Sequence, residues 1–155
     1  MKRQTHLSFI IALAVFGLID AGYLAETALT GGQLACDING LSGCNAVAQS
    51  VYSQLFGIPL GVYGLVFYGF FLLLAIGACI RPSPKVDYFL AILAGAGGIS
   101  SLYFLYAQFF LIKALCIYCI ASAVIAGLLV VLTGLLVRNS GAKSAPKAAS
   151  LPPTA

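Results

Sequence analysis

The chain has 155 residues, 61% hydrophobic and only 8% charged, with a formal net charge of +4, whereas soluble domains carry about 25% charged residues. That composition excludes an ordinary water-soluble globule and points to a chain built for lipid, held by helix packing and an internally satisfied backbone. Its eight basic residues are scattered between apolar runs, so they form no patch able to track phosphates, and nucleic-acid binding is excluded.

The first apolar stretch covers residues 7–29. Lys2 and Arg3 ahead of it suggest a signal peptide, but it runs past the usual length through Asp20 to Leu24. The Ala-x-Ala within it, Ala12 to Ala14, lies too deep for cleavage. The segment is expected to remain as a membrane span, with Asp20 and Glu26 near its far end in interfacial water. A loop over residues 30–57 follows, and then three stretches free of ionised side chains, 58–80, 88–112 and 114–137. Each of the four is long enough for a hydrocarbon core that takes about 20 helical residues to cross. Strands are a poor alternative, because barrel strands alternate in polarity and a run such as FYGFFLLLAIGACI does not.

Between spans two and three, Arg81-Pro82-Ser83-Pro84-Lys85 stops a helix. The connection at Lys113 is so short that spans three and four must be antiparallel. Small residues recur at four-residue spacing, Gly57/Gly61, Ala91/Gly95, Ala94/Gly98 and Ala123/Gly127, which suits close helix approach in lipid. Residues 45–56 are apolar enough for a short interfacial helix, and 138–155 form a small, polar, proline-containing tail expected to be disordered. The fold class is all-α: a polytopic four-helix bundle over residues 1–137. Lys2, Arg3, Arg81, Lys85, Arg138, Lys143 and Lys147 fall on one side of the four-span path and Lys113 on the other. By the positive-inside rule both termini are cytoplasmic, in the inner (plasma) membrane, and the 30–57 loop is extracytoplasmic.

Four of the five cysteines lie on that outer side. Cys116-Ile117-Tyr118-Cys119 opens the fourth helix, where backbone N–H groups and the helix dipole favour thiolate, with Lys113 acting the same way. Along a helix the two sulfurs share a face at different depths. Cys116 is thus expected to meet water-borne thiols and Cys119 to sit nearer the lipid, which suits a membrane-soluble acceptor such as a quinone. Cys36 and Cys44 stand in CDINGLSGC, whose Asn-Gly and Ser-Gly steps are turn formers. Taken alone they read as a structural bridge; beside the Cys-x-x-Cys they read as a shuttle. An outside dithiol would reduce Cys36/Cys44, that pair would reduce Cys116/Cys119 through a Cys44–Cys116 mixed disulfide, and two electrons would pass to the quinone. Zinc fits poorly, since a Cys₄ site uses tight knuckles and the one histidine, His6, lies on the opposite side. No metal is expected, and Cys79 reads as packing.

Aromatic residues gather at the outer end of span three (Tyr103, Phe104, Tyr106, Phe109, Phe110), with Tyr118 inside the motif. They suit either a quinone wall or an interfacial belt. Gly57, Pro59, Leu60 and Gly61 enter span two at the same depth and suggest close approach to a helix or a flat ligand.

The Tyr23-Leu24 region, Cys36 and Cys44, the FGIPLGVYG entry to span two, and Cys116-Ile117-Tyr118-Cys119 together resemble the vitamin K epoxide reductase family, particularly bacterial members that drive disulfide formation. The resemblance covers about residues 7–137. It implies a bundle around a quinone (ubiquinone or menaquinone), with Cys119 delivering electrons to the quinone, Cys116 exchanging with Cys44, and Cys36 facing the partner. Tyr118, Phe110, Tyr106, Pro59 and Leu60 are the expected quinone contacts. Many bacterial relatives carry a fused thioredoxin-like domain and this chain ends before one, so the expected partner is a separate thioredoxin-fold protein outside the cytoplasm. Nothing in the residues indicates an epoxide substrate. The alternative is a non-enzymatic four-span scaffold or assembly factor with a structural loop disulfide.

Overall fold

The computed structural model describes residues 2–35 and 43–144. Expectations that fall on Cys36 and on residues 145–155 of the tail therefore lie outside the described residues. Four long helices dominate: α1 (Lys2–Thr30), α3 (Leu60–Ile80), α4 (Pro84–Tyr106) and α5 (Ile117–Ser144), with a short α2 (Cys44–Ala48) between the first two. The four long ones are apolar and long enough to cross a membrane. Large side chains such as Phe16, Leu73, Ile99 and Leu102 face outward, where lipid rather than water is the natural solvent.

The breaks follow local chemistry. Arg81 leaves the helix, donating its N–H to Gly77 O at 2.9 Å. Ser83 is extended and Pro84 takes the first turn of α4, a position where a missing N–H costs nothing. The expected four spans are therefore all present, with small shifts. Ile58 and Pro59 are not helical, so the second span starts at Leu60. The fourth continues through Arg138 to Ser144, into what reads as tail by composition.

Packing runs in a ring, α1 on α3, α3 on α4, α4 on α5 and α5 back on α1. The buried core, including Leu7, Ile10, Phe71, Leu90, Leu129 and Leu136, fills the end of the bundle that holds the start of α1. At that end Arg3 closes the ring. Its guanidinium donates to Asp87 Oδ1 at 2.7 Å and to Ala78 O at 3.2 Å, while Ser140 Oγ donates to Asp87 Oδ2 at 2.7 Å. One carboxylate, 1% exposed, thus joins α1, α4 and α5, and the Ala78 carbonyl adds α3.

Of the small residues, Gly61 carries the clearest contact: a Cβ there would stand 2.5 Å from Ala25 N, so α1 and α3 meet backbone to backbone. Gly98 abuts Val130 and Ala94 is buried, whereas Gly95 and Gly127 face open space.

The loop end departs from a single interfacial helix over 45–56. α2 is followed by a 3₁₀ turn (Val51–Ser53) and a tiny antiparallel hairpin, β1 (Gln54–Leu55) paired with β2 (Ile58–Pro59). Ser50 is extended, which ends the helical path. Phe56 and Gly57 turn the hairpin with φ of 53° and 78°, the double left-handed conformation of a tight hairpin turn.

Candidate functional site

At the end opposite the Arg3 clamp, Cys44, Cys116, Leu34 and Val47 form a second buried cluster, bordered by Tyr23, Leu24, Tyr118 and Cys119. Local chemistry puts each piece there. Ala107–Ile112 continues α4 as a π-helical turn and ends at Lys113, whose φ is 55°; such turns add a residue per turn and redirect the chain. This delivers Cys116 to the start of α5, where its carbonyl accepts the Ile120 N–H at 3.0 Å and its sulfur accepts the Cys119 N–H at 3.5 Å. The sulfur thus occupies the place of an N-cap oxygen. Gln108, from the π turn, receives the Cys116 N–H on Oε1 at 2.9 Å and is itself 2% exposed.

The loop is held against this turn by polar contacts to its backbone. Asn45, next to Cys44, accepts the Leu34 N–H at 2.8 Å and donates to Leu34 O at 3.3 Å. The Ala35 N–H donates to Tyr23 Oη at 3.1 Å, and Tyr118 Oη donates to Ala35 O at 2.9 Å. The two tyrosine rings lie 5.1 Å apart. Gly43 is so close that a Cβ would stand 2.8 Å from Leu115 N. Glycine lets the loop carry Cys44 directly onto the turn ahead of Cys116.

Cys44 is disulfide-bonded, while Cys116 and Cys119 are free thiols. Cys116, in the turn between spans, has its thiol lowered to about 7. The hydrogen bond from the Cys119 thiol is the main cause, burial opposes it, the backbone N–H groups of Cys119 and Tyr118 help, and the Asp20 carboxylate opposes it weakly. Lys113 is not among these influences. Cys116 is therefore poised as a nucleophile near neutral pH, but it is only 1% exposed. Direct access by water-borne thiols, the expectation from helix position, is closed by the docked loop; what reaches Cys116 is the Cys44 segment.

A cavity of about 840 Å³ opens beneath this cluster, lined from all four long helices by residues including Leu24, Phe67, Leu93, Phe104, Gln108 and Cys119. The size is within the range of small-molecule sites. The family model described as the vitamin K epoxide reductase family matches residues 8–134. The chain belongs to the vitamin K epoxide reductase family. A comparison with individually curated proteins finds no match. Membership of this family makes the chain a multi-pass membrane protein of an oxidoreductase lineage, and the four spans lie within the matched stretch but for a few terminal residues.

Against that family background, the structure brings Cys44, Cys116 and Cys119 together and leaves Cys79 exposed near the clamp end. Pro59 and Leu60 line the cavity. Tyr106 and Phe110 stack on each other at 4.9 Å on the outer surface, and Tyr118 binds the loop backbone. Three contributors escaped the sequence reading and a fourth was placed differently by it. Gln108 and Asn45 are single amides without a motif, and Tyr68, whose hydroxyl meets Ser122 at 3.1 Å, hides inside an apolar run. Asp20, expected in interfacial water, has its Oδ2 buried with no hydrogen-bond partner among the described residues.

Proposed function

We propose that this vitamin K epoxide reductase family member is a thiol oxidoreductase that draws two electrons from a thioredoxin-fold protein, through Cys36/Cys44 and then Cys116/Cys119, to a membrane quinone, and so promotes disulfide formation in exported proteins. The observation that carries the reading is the burial of Cys44 and Cys116 in one cluster directly above a cavity that Cys119 lines. Exchange between the pairs needs only local motion of the loop, because the Cys44 segment already sits on the turn that bears Cys116. An oxidised Cys44 beside free Cys116 and Cys119 matches the stage after that exchange.

The cavity fits a flat apolar ring. Phe67, Leu93 and Phe104 supply apolar walls, and Gln108, Tyr68 and Ser122 supply polar atoms at its edge. A bound quinone would supply a two-electron, two-proton acceptor. The chain's own part is to keep Cys116 nucleophilic, exclude water from both sulfurs and hold Cys119 against the cavity. The excess of lysine and arginine on the clamp side supports placing that end in the cytoplasm and the cysteines outside it, in the inner membrane.

The full chain in liposomes with ubiquinone or menaquinone, given a reduced thioredoxin-fold protein, is expected to consume thiol and form quinol. Cys119→Ala abolishes quinol formation and accumulates a Cys44–Cys116 mixed disulfide, read by alkylation and mass. Full turnover in that variant overturns the electron path; cysteines that can all be replaced harmlessly point to the scaffold instead.

A further inference from the structure

Asp20 is a carboxylate inside the bundle that the electron path does not use. It sits on α1 one turn below Tyr23, whose ring faces Tyr118 of α5, and one turn from Leu24 on the cavity wall. Since α1 and α5 run in opposite directions, one turn down α1 from Tyr23 is level with the residues that follow Tyr118, beginning with Cys119. On its other side lies Gly17, against which the Tyr68 ring of α3 is packed. The titratable groups that feel the Asp20 charge are Cys119 and Tyr118 of α5, Cys116 at the turn, and Tyr68 of α3. No cation answers it: among the described residues Arg3 is bound to Asp87 at the far end of the bundle, and Lys113 is exposed. Its Oδ2 is buried without a hydrogen bond. Leaving a buried acceptor unmet is costly, and proton relays are one of the recurring roles of intramembrane carboxylates.

We propose that Asp20 is the base that takes the Cys119 thiol proton as the pair is oxidised. The inference rests on the electron path above and adds to it a route for the proton. With Cys116 as thiolate and Cys119 as thiol, closing the S–S bond breaks the Cys119 S–H bond and releases two electrons and one proton. The electrons go to the quinone acceptor and the proton to the Asp20 carboxylate, which then gives it up. The second proton that quinol needs is the one Cys116 released to water on ionising. Asp20 ends the cycle as it began. Of the other described acids, Asp87 is in the clamp and Glu26 is exposed, which leaves Asp20 as the carboxylate placed for this transfer.

The test uses the full chain in liposomes and compares wild type with Asp20→Asn and Asp20→Glu. In single-turnover quinol formation from the reduced pair, Asp20→Asn is expected to slow the reaction at pH 7 about a hundredfold or more, from the low end of the roughly 10²–10⁴ that acid–base groups contribute. Raising the pH should restore its rate, as hydroxide replaces the missing base, and Asp20→Glu should keep the wild-type profile at reduced rate. A second readout needs no quinone. Oxidising the pair with ferricyanide, which accepts electrons but no protons, should produce a transient infrared band of a protonated carboxyl in wild type and none in Asp20→Asn. An Asp20→Asn rate and pH profile equal to wild type, or the band persisting in that variant, overturns the inference while leaving the electron path intact. A parallel loss of Cys44–Cys116 exchange and of thermal stability makes Asp20 structural and also overturns it. A wild type that shows the band but forms no quinol sinks the electron path and leaves the proton role standing.

Discussion

Cys116 does two things with one sulfur: it caps α5 by accepting the Cys119 N–H and it receives the Cys119 thiol hydrogen bond. The second contact is the larger reason its thiol is lowered to about 7. Removing it in Cys119→Ala should move the titration of Cys116 upward, towards the ordinary thiol value of about 8.5. Ultraviolet thiolate absorbance against pH checks this; a midpoint that stays near 7 would mean that backbone N–H groups alone stabilise the thiolate. Because the thiol titrates near neutrality, oxidation of the reduced Cys116/Cys119 pair should be slow in acid, rise through about pH 7 and level off above it. The Cys-x-x-Cys and its place at a helix start are visible in the amino-acid order. Its closest supports are not, because Gln108 and Asn45 act through backbone groups brought near only by a π turn and a docked loop.

Among the elements, the long helices were the legible part and the loop was not. Sustained hydropathy fixes a span to within a few residues, and Pro82 and Pro84 mark a break whatever packs around it. The 45–56 segment carries no charge and no proline, yet the chain there divides into a short helix, a 3₁₀ turn and the start of a hairpin, since its path depends on contacts with Leu34 and the 114–115 turn. Gly43 is the hinge of that docking. Gly43→Val would press a side chain into Leu115 and Ala114, displacing Cys44. We expect Cys44–Cys116 mixed disulfide, trapped in a Cys119→Ser background, to fall roughly tenfold or more, as small misplacements of reacting groups commonly do. Reduction of Cys116/Cys119 by a small membrane-permeant dithiol should continue. An undiminished yield of mixed disulfide would show that the loop has another way to reach Cys116.

Across the whole molecule the two ends differ in kind. One is filled by aliphatic side chains and tied by the Arg3–Asp87 pair; the other holds the cavity and the buried Cys44 and Cys116 cluster. Asp87→Ala leaves Arg3 half-buried without its counter-charge, a change that costs about 3–5 kcal/mol in buried pairs. Thermal unfolding in detergent should show that loss, with Cys44–Cys116 exchange unaltered in the folded protein. Equal stability of the variant would mean that the Ala78 carbonyl is sufficient for Arg3. Hydropathy gave the number of the spans, but not this polarity of packing. It arises from side chains far apart in the chain, such as Arg3 and Asp87, and has no local signal.

The clamp at one end also bears on how the proposed quinone would come and go. Four rods bound at their base can spread at their tips without coming apart, so a lipid-borne molecule can slip sideways between them while the base stays shut. Amide hydrogen exchange should then slow near Phe67, Phe104 and the Cys44 segment when such a molecule is lodged there, and stay constant around Leu7, Phe71 and Leu136.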